Sequence, residues 1–320
     1  MSITTAQAPA AAAGASNPRK AKRINSISSG SNLVVNVFFI LYSIACLFPI
    51  LLVISASLSD ENAITLHGYS IIPKVWSTAA YHYLSYDMHK IMLGYGISIA
   101  TTIIGSIAGM LMTALYAYPL SRMDFQFRGF FSFFIFFTMI FGGGLVPSYL
   151  VYSNILHLKD TLFALIIPGL LMSAFLVLTT RTFFQQTIHP SILESAQIDG
   201  AGEFRIFFGI VLPLSLPVMA TIGLFYTLGY WNDWFNSLVY INNDKMVNLQ
   251  YMMYRVMRNL QFLQSNAQSN TAVGAQEIAK IPSETVRMAM CIVGMGPIVL
   301  AYPFFQRYFV AGLTVGAVKG

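Results

Sequence analysis

The sequence predicts an all-α membrane protein with six transmembrane helices, and two observations carry this prediction. First, the chain is 56% hydrophobic and 9% charged, with a mean hydropathy of +0.64, whereas soluble domains carry about 25% charged residues. Second, the charges are clustered. They leave six runs without Asp, Glu, Lys or Arg, at 24–59, 91–121, 129–158, 161–180, 206–232 and 288–306. Each run is close to or above the roughly 17–25 residues that a helix needs to cross the hydrocarbon core.

The distribution of basic residues predicts a cytoplasmic N-terminus. Arg19, Lys20, Lys22 and Arg23 precede the first apolar run, and the first acidic residue is Asp60. Cytoplasmic segments carry an excess of Lys and Arg, so we expect residues 1–31 to be a disordered basic tail on anionic lipid and 32–320 to form the transmembrane domain. A cleaved signal peptide is disfavoured, because its apolar core is only about 7–15 residues long. Charge concentrated in one tail does not indicate nucleic-acid binding.

Each helix follows from one charge-free run. We expect helices at about 33–57, 91–120, 130–152, 161–181, 210–236 and 284–310. Counted from a cytoplasmic N-terminus, the loop at 182–209 is cytoplasmic and the loop at 238–284 extracytoplasmic. The second helix is rich in glycine, which permits close helix packing in lipid, and Ser283 is a suitable N-cap for the last helix.

The third predicted helix contains Gly142, Gly143, Gly144 and Pro147. One interpretation is a break or kink, which membranes tolerate only where the unwound backbone is buried in protein or lines a cavity. The other is close packing of a continuous helix. The residues do not decide between them.

The cytoplasmic loop contains a patterned polar stretch between two apolar runs. Pro190 and Ser191 favour a helix start, and Gly200 and Gly202 break the helix, since glycine accepts positive φ. A second helical piece follows as far as Pro213. The product is a compact helix–turn–helix that a partner groove would accept as a nearly rigid body, although an ordinary amphipathic connector on the membrane surface remains the alternative.

The same stretch resembles the E-A-A-x-x-D-G-A…I-x-L-P motif of ABC importer permeases. The matching residues are Glu194, Ala196, Asp199, Gly200, Ala201, Ile210, Leu212 and Pro213, while Ser195 replaces an alanine. HGYSIIPK, GGGLVPSYL, GYWNDWFN and the C-terminal YPFFQRYFVAGLTVGAVKG are similar to the MalG/LplC branch of carbohydrate permeases.

This resemblance implies an ABC importer permease fold in a multi-pass protein of the bacterial cell membrane. It implies that the loop contacts a separate, dimeric ATP-binding subunit, with Glu194, Ser195, Ala196, Asp199, Gly200, Ala201, Phe204, Leu212 and Pro213 as the coupling residues. ATP and Mg²⁺ would bind that subunit, since this chain has no G-x-x-x-x-G-K-[ST] loop; we expect no cofactor on this chain. Further implied partners are a second, LplB/MalF-like permease and an extracytoplasmic sugar-binding protein, and the implied cargo is sugar, with oligosaccharides preferred.

Trp231, Asn232, Asp233 and Trp234 lie near the outer end of the fifth predicted helix. An acidic residue at membrane depth usually marks a polar path, so these residues are candidates for the sugar path. They are also consistent with an interfacial anchor, which we favour, since one permease of a pair can carry most of the sugar contacts. Further along, residues 249–264 predict an amphipathic, methionine-rich helix that would suit docking of the binding protein.

The sequence does not favour an enzyme, since it has no H-E-x-x-H or nucleophile-elbow motif and its five histidines lie in or beside predicted loops; we expect no catalytic residue and no metal site. An ion-coupled carrier is disfavoured because only Asp233 falls near a span. A non-sugar ABC permease would share the cytoplasmic motif, so it remains the alternative. Cys46 and Cys291 fall inside predicted spans, where we expect them to be small packing residues.

Overall fold

The computed structural model describes residues 29–267 and 282–317, and the elements in those ranges are helical apart from one isolated antiparallel bridge between Ser59 and Trp76. The basic cluster of the N-terminal tail and residues 268–281 of the predicted outer loop lie outside the described residues. The α-helices are α1 (Ser29–Ser57), α2 (Glu61–His67), α3 (Ala79–Ser85), α4 (Met88–Ser121), α5 (Arg128–Ile140), α6 (Leu145–Leu150), α7 (Ala174–Thr187), α8 (Pro190–Ile198), α9 (Glu203–Ile206), α10 (Leu212–Leu214), α11 (Leu216–Asn232), α12 (Phe235–Tyr240), α13 (Leu249–Ala267) and α14 (Ser283–Ala317). Short π-helices occupy Val151–Ile155 and Phe207–Val211, and 3₁₀ turns occupy Leu162–Leu165 and Asp244–Met246.

Three helical segments are long and apolar enough to cross a membrane alone: Gly30–Ser57, Met88–Ser121 and Ser283–Pro303. Two further crossings are possible as bent pairs. Arg128–Ile140 meets Leu145–Ile155 at 113°, and Glu203–Leu214 meets Leu216–Asn232 at 84°. The structure therefore contains three to five candidate spans by length and composition.

The chain divides into two units, residues 1–50 and residues 51–320. The described part of the first unit is the start of α1, whose large apolar side chains, such as Phe38, Leu41 and Leu47, are exposed. Such a surface suits lipid or another apolar helix, because water does not solvate it well. Cys46 is exposed here and Cys291 is exposed in α14, so neither is buried among the described residues, and their role as small packing residues stays a prediction.

The core of the second unit forms where α4, α7 and α11 meet. Gly105 and Gly109 of α4 lie against the rings of Tyr230 and Tyr226 of α11; a Cβ at Gly109 would lie 2.8 Å from the Tyr226 ring. The glycines thus allow a close approach of the two helices, which confirms the expectation of close packing for the second predicted helix. Tyr226 is further held by a 2.6 Å hydrogen bond between its hydroxyl and that of Thr113 on α4.

The fourth predicted helix is not continuous. Residues 166–173 are irregular between the 3₁₀ turn and α7, since Pro168 lacks an N–H and Gly169 has a φ of +70°. The prediction of one helix over 161–181 was therefore wrong.

Side chains of the neighbouring helices satisfy the backbone groups that this break leaves free. The hydroxyl of Tyr230 donates to Ile166 O at 2.9 Å, and the amide of Asn236 donates to Pro168 O at 3.1 Å. Tyr226 accepts from the backbone N–H of Ser173 at 3.2 Å. Irregular backbone at membrane depth persists only when it is buried in protein in this way.

The third predicted helix is interrupted after Ile140. Phe141 leaves the helical region, Gly144 has a φ of +81°, and α6 starts at Leu145. A Cβ at Gly142 or Gly143 would meet no atom within 4 Å. Close packing against the described part of the chain is therefore not what requires glycine at 142 and 143.

The start of α14 is held by a residue from α2. The carboxylate of Glu61 accepts hydrogen bonds from the backbone N–H groups of Glu284 and Thr285, both at 2.9 Å, and from the Thr285 hydroxyl at 2.9 Å. The first N–H groups of a helix have no partner within it, and a carboxylate at this end also suits the helix dipole. Ser283 is the first residue of α14, and the Glu61 carboxylate that accepts from this helix start comes from more than 200 residues away.

The amphipathic helix predicted at 249–264 is α13. One of its faces packs on α14 and α4 through Leu249, Met253 and Leu260. The backbone N–H of Leu249 donates to the hydroxyl of Ser98 on α4 at 2.9 Å. Gly94 lies against the Leu249 backbone, where a Cβ would come within 3.3 Å, so α13 is fixed to the first half of α4.

Candidate functional site

The 190–214 segment comprises α8, a glycine turn, α9 and the following π turn and α10. Pro190 occupies the first position of α8, where its missing N–H costs nothing. The cap is His189, whose Nδ1 accepts from the backbone N–H of Ser191 at 3.4 Å. Ser191 was expected in that role and instead lies inside the helix.

The turn at Gly200 is a Schellman motif. The N–H of Ala201 donates to Ala196 O at 2.9 Å and that of Gly200 donates to Gln197 O at 3.0 Å. Gly200 has a φ of +78°, in the left-handed region that glycine enters at little cost. Asp199 is the last residue before this turn, so its carboxylate is displayed at the tip of the segment.

One side of the segment belongs to the protein core. Ala196, Ile206, Phe207 and Val211 are at least 92% buried, and they join the cluster formed by α4, α7 and α11. The other side is exposed and mixed in character. Ile198 and Phe204 are 86% and 75% exposed, although both are large and apolar. A buried inner face and an exposed apolar outer face are typical of a docking element. Monomeric soluble proteins rarely expose large apolar side chains side by side.

The sequence-predicted coupling residues therefore fall into three groups. Within the described part of the chain, the exposed carboxylates of Glu194 and Asp199 accept no side-chain hydrogen bond or ion pair, and Phe204 is exposed beside them. Ala196 is buried, while Ala201 and Leu212 are partly buried against the core. Ser195, Gly200 and Pro213 are exposed; the Ser195 hydroxyl donates to Ser191 O at 2.8 Å.

A hydrogen-bonded network that the sequence did not predict joins this segment to the end of α4. The Tyr118 hydroxyl donates to Glu203 Oε2 at 2.7 Å and accepts from Arg122 Nη1 at 3.2 Å. Gln197 of α8 donates to Glu203 Oε1 at 3.0 Å, and Arg122 Nη1 lies 3.6 Å from Glu203 Oε2. We call Tyr118, Arg122, Gln197 and Glu203 the Glu203 network. Tyr118 and Glu203 are 85 positions apart in the sequence. No local sequence pattern therefore predicts this network.

Arg122 also forms two hydrogen bonds with Asp124, from Nε at 2.8 Å and from Nη2 at 2.6 Å. These bonds hold the pKa of the Asp124 carboxyl below its usual range, and the same hydrogen bonding raises the pKa of Arg122. Both groups are therefore charged at neutral pH, and the guanidinium is oriented toward Tyr118 and Glu203 by a fixed bidentate partner.

Two cavities flank the Glu203 network. A cavity of about 440 Å³ lies between Tyr118, Phe125 and Phe204, and one of about 370 Å³ lies between Arg122, Phe184 and Glu194. Tyr118, Arg122 and Asp124 line both cavities. The network is thus a polar connection between the segment and the end of α4, beside the apolar contact of Phe207 with Tyr118.

The candidates for the sugar path lie at the other end of α4, where Tyr95 is 6.5 Å from Trp231 between ring centroids. At about 1.5 Å per helical residue, Tyr95 is about 35 Å from Tyr118 along α4. The four residues do not form one lining surface. Trp231 is buried, with its Nε1 donating to Gly294 O at 2.9 Å, and Asn232 bonds back to Leu228 O.

Asp233 and Trp234 differ from their neighbours. Asp233 Oδ1 accepts from the backbone N–H groups of Phe235 and Asn236 at 3.1 Å, which caps α12. Its Oδ2 is buried and has no hydrogen-bond partner among the described residues. Trp234 is 38% exposed and stacks on Tyr254 of α13 at 4.7 Å. Part of this set therefore has a structural role, and Asp233 retains one unused acceptor.

Among residues 29–267 and 282–317 the structure brings no three His, Cys, Asp or Glu side chains into a group that could hold a metal ion. Gly142, Gly143, Gly144 and Pro147 mark the α5–α6 interruption described above, and their functional role stays a prediction.

Comparison with known proteins agrees with this architecture. A family model described as the binding-protein-dependent transport system inner membrane component matches residues 101–315. The polygalacturonan/rhamnogalacturonan transport system permease protein YtcP of Bacillus subtilis (strain 168) is 35% identical over 291 residues, which cover 90% of this chain and 98% of that protein. Protein LplC of the same organism is 34% identical over 274 residues, covering 86% and 90%.

A solved structure of a bacterial ABC transporter involved in the import of the acidic polysaccharide alginate contains a similar chain. It matches with a TM-score of 0.72 and 26% identity, covering 89% of this chain and 99% of that one. The region that the family model matches, 101–315, contains the 190–214 segment. From the family match and the two relatives together, the chain belongs to the family of binding-protein-dependent transport system inner membrane components.

Proposed function

We propose that this chain is one permease subunit of an ABC importer that takes up oligosaccharides, and that the 190–214 segment is its contact with a separate ATP-hydrolysing subunit. The observation that carries the second part is the segment itself. Its inner face is packed in the core, while Glu194 and Asp199 are exposed and without a side-chain partner in the described chain. Ile198 and Phe204 supply apolar contact area beside them.

The cargo class is supported by the relatives. YtcP is named for polygalacturonan and rhamnogalacturonan transport, and the similar solved transporter imports alginate. Oligosaccharides from acidic polysaccharides are therefore the cargo that we propose. A transport subunit without a phosphate-binding loop requires partners: a dimeric ATPase that binds ATP and Mg²⁺, a second permease, and an extracytoplasmic binding protein.

We also propose six membrane crossings with the 190–214 segment in the cytoplasm. Contacts within the second unit support this count. Glu61 and α13 lie at one end, with the starts of α14 and α4, while Arg122 and the 190–214 segment lie at the other. Asp160 accepts from the N–H groups of Asn242 and Asn243 at 2.6 and 2.9 Å. The chain from α5 to Asp160 therefore runs from the Arg122 end to the α13 end, and the chain through α7 runs back to the 190–214 segment. The six passes are then α1, α4, α5 with α6, the segment that ends in α7, α11, and α14. The third and the fourth of these are interrupted helices.

The test replaces the two exposed carboxylates without changing their size, as Glu194→Gln with Asp199→Asn. Neither side chain has a side-chain partner among the residues that the structure describes, so we expect the permease to insert and pair normally. ATPase activity of the reconstituted complex should lose most of its stimulation by sugar-loaded binding protein, and co-purification of the ATPase subunit should weaken.

The matched control is Asp87→Asn, an exposed carboxylate at the opposite end of α4 whose only ion pair is with Lys90 at 3.1 Å among the described residues. It should leave the co-purification of the ATPase subunit unchanged, because Asp87 lies far from the 190–214 segment. Full stimulation in the Glu194 and Asp199 double variant would contradict the proposed contact.

A further inference from the structure

We infer that the Glu203 network couples the 190–214 segment to α4, and that α4 transmits the movement of this segment to the outer helix α13. This inference rests on the proposed contact between the segment and an ATPase subunit. It assigns positioning roles to Tyr118 and Glu203.

The network is suited to transmit force because its donors and acceptors converge on one carboxylate. Glu203 accepts from Tyr118 of α4 with one oxygen and from Gln197 of α8 with the other. It also faces the Arg122 guanidinium at 3.6 Å. Hydrogen bonds to a charged acceptor are about twice as strong as neutral ones. The side chain of Glu203 on α9, 56% exposed, thus contacts both α8 and the end of α4.

An apolar contact beside the network also joins the segment to α4. The Tyr118 ring lies 5.4 Å from the Phe207 ring between centroids, and Phe207 is 1% exposed. Ile206 and Phe207 also join Ala117 and Leu120 of α4 in the buried cluster, so the segment has an apolar contact with α4 as well as the polar one. Removal of the Tyr118 hydroxyl would therefore weaken the link while the ring contact remains.

The helix α4 is continuous from Met88 to Ser121, with Pro119 in its last turn, so one element joins Tyr118 to the α13 end. Its other end is fixed to α13 by the Leu249 N–H to Ser98 hydrogen bond at 2.9 Å, and by the close approach of Gly94 to the Leu249 backbone. Contacts at both ends join the cytoplasmic segment to the outer helix over about 35 Å of α4. Coupling between sites requires such a physically shared element and is reciprocal for binding.

The experiment compares Tyr118→Phe and Glu203→Ala with the matched control Tyr116→Phe. Tyr116 is two residues away on the same helix, and its hydroxyl donates to Phe131 O at 3.2 Å, outside the network. The complex is reconstituted with its ATPase subunit and binding protein. Basal ATPase activity, stimulation by sugar-loaded binding protein, and sugar imported per ATP hydrolysed are then measured.

We expect basal ATPase activity to persist in both variants, while stimulation and sugar imported per ATP fall about tenfold, as the loss of one hydrogen bond to a charged group predicts. The double variant Tyr118→Phe/Glu203→Ala should lose much less than the sum of the two single losses, because both substitutions remove the Tyr118–Glu203 hydrogen bond and only the Arg122–Tyr118 bond is lost separately. A purely structural defect would instead lower basal and stimulated activity together.

Three results would overturn the inference: unchanged stimulation in both single variants, an equal loss in Tyr116→Phe, or additive losses in the double variant. The proposed ATPase contact fails separately. If Glu194→Gln with Asp199→Asn has no effect, the contact is wrong; if that variant is impaired and the network variants are normal, only the network's role is wrong.

Discussion

At the scale of single residues, Gly200 carries the most specific backbone requirement of the 190–214 segment. Its φ of +78° is unfavourable for residues with a Cβ, although no atom lies within 4 Å of the position that a Cβ would occupy. The cost of Gly200→Ala is therefore conformational and should be about 1–2 kcal/mol. We expect a lower thermal unfolding midpoint for the purified variant in detergent.

Gly202 supplies the control for this substitution. It has a φ of −71° and equally open space around it, so an alanine fits its backbone without strain. Gly202→Ala should leave the midpoint unchanged or raise it slightly, because alanine restricts the unfolded chain. Equal decreases in the two variants would show that the left-handed conformation of Gly200 is not what the turn requires.

At the scale of elements, the junction of α2 with α14 shows how a charged side chain organises a helix start. Glu61 satisfies two otherwise free backbone N–H groups of α14 and one hydroxyl. In Glu61→Gln the charge is lost and one oxygen becomes an N–H donor that faces other donors. We expect destabilisation of about 1.5–3 kcal/mol, the range for hydrogen bonds to charged groups, measured by thermal unfolding.

The neighbouring Asp60→Asn is the matched comparison. Asp60 caps only its own helix, α2, by accepting from Asn62 and Ala63 at 3.0 and 3.3 Å, and asparagine caps helices about as well. Its midpoint should stay close to that of the unmodified protein. If both variants unfold alike, Glu61 does not stabilise α14 in the way that the hydrogen bonds indicate.

The same elements show what the sequence can predict. Long charge-free runs predicted α1, α4 and α14 closely, because a helix in lipid needs only length and apolar character. The Gly200 turn was also predictable, since glycine adopts a positive φ more readily than other residues. The break at 166–173 was missed, although Pro168 and Gly169 stand in an apolar run, because the apolar character of that run outweighed them.

The Glu203 network and the Glu61 cap were beyond sequence reasoning for a different reason. Tyr118 and Glu203, like Glu61 and Thr285, meet only after the helices pack. Neither pair follows from periodicity or from a motif. In both cases the charged residue looked like an ordinary solvated side chain in the sequence, and only the contact gives it a role.

At the scale of the whole molecule, the proposed topology places two sets of residues on opposite sides of the membrane. Met123 and Glu194 line one cavity at one end of α4, so they must face the same compartment. Asn259 of α13 and His67 of α2 belong to the opposite end, which carries the Glu61 contact with α14. The basic tail of the N-terminus predicts that the first set is cytoplasmic.

Cysteine accessibility tests this topology in a background where the exposed Cys46 and Cys291 are replaced by serine. A membrane-impermeant thiol reagent added to intact cells should label Asn259→Cys and His67→Cys, because these sites face outward. Met123→Cys and Ser191→Cys should be labelled only after the membrane is permeabilised. Complete inversion of both sets would mean that the basic tail does not direct orientation, while the fold would stand. Labelling of Met123→Cys and Ser191→Cys from different sides would contradict the packing of the 190–214 segment against α4, and with it the coupling through Glu203.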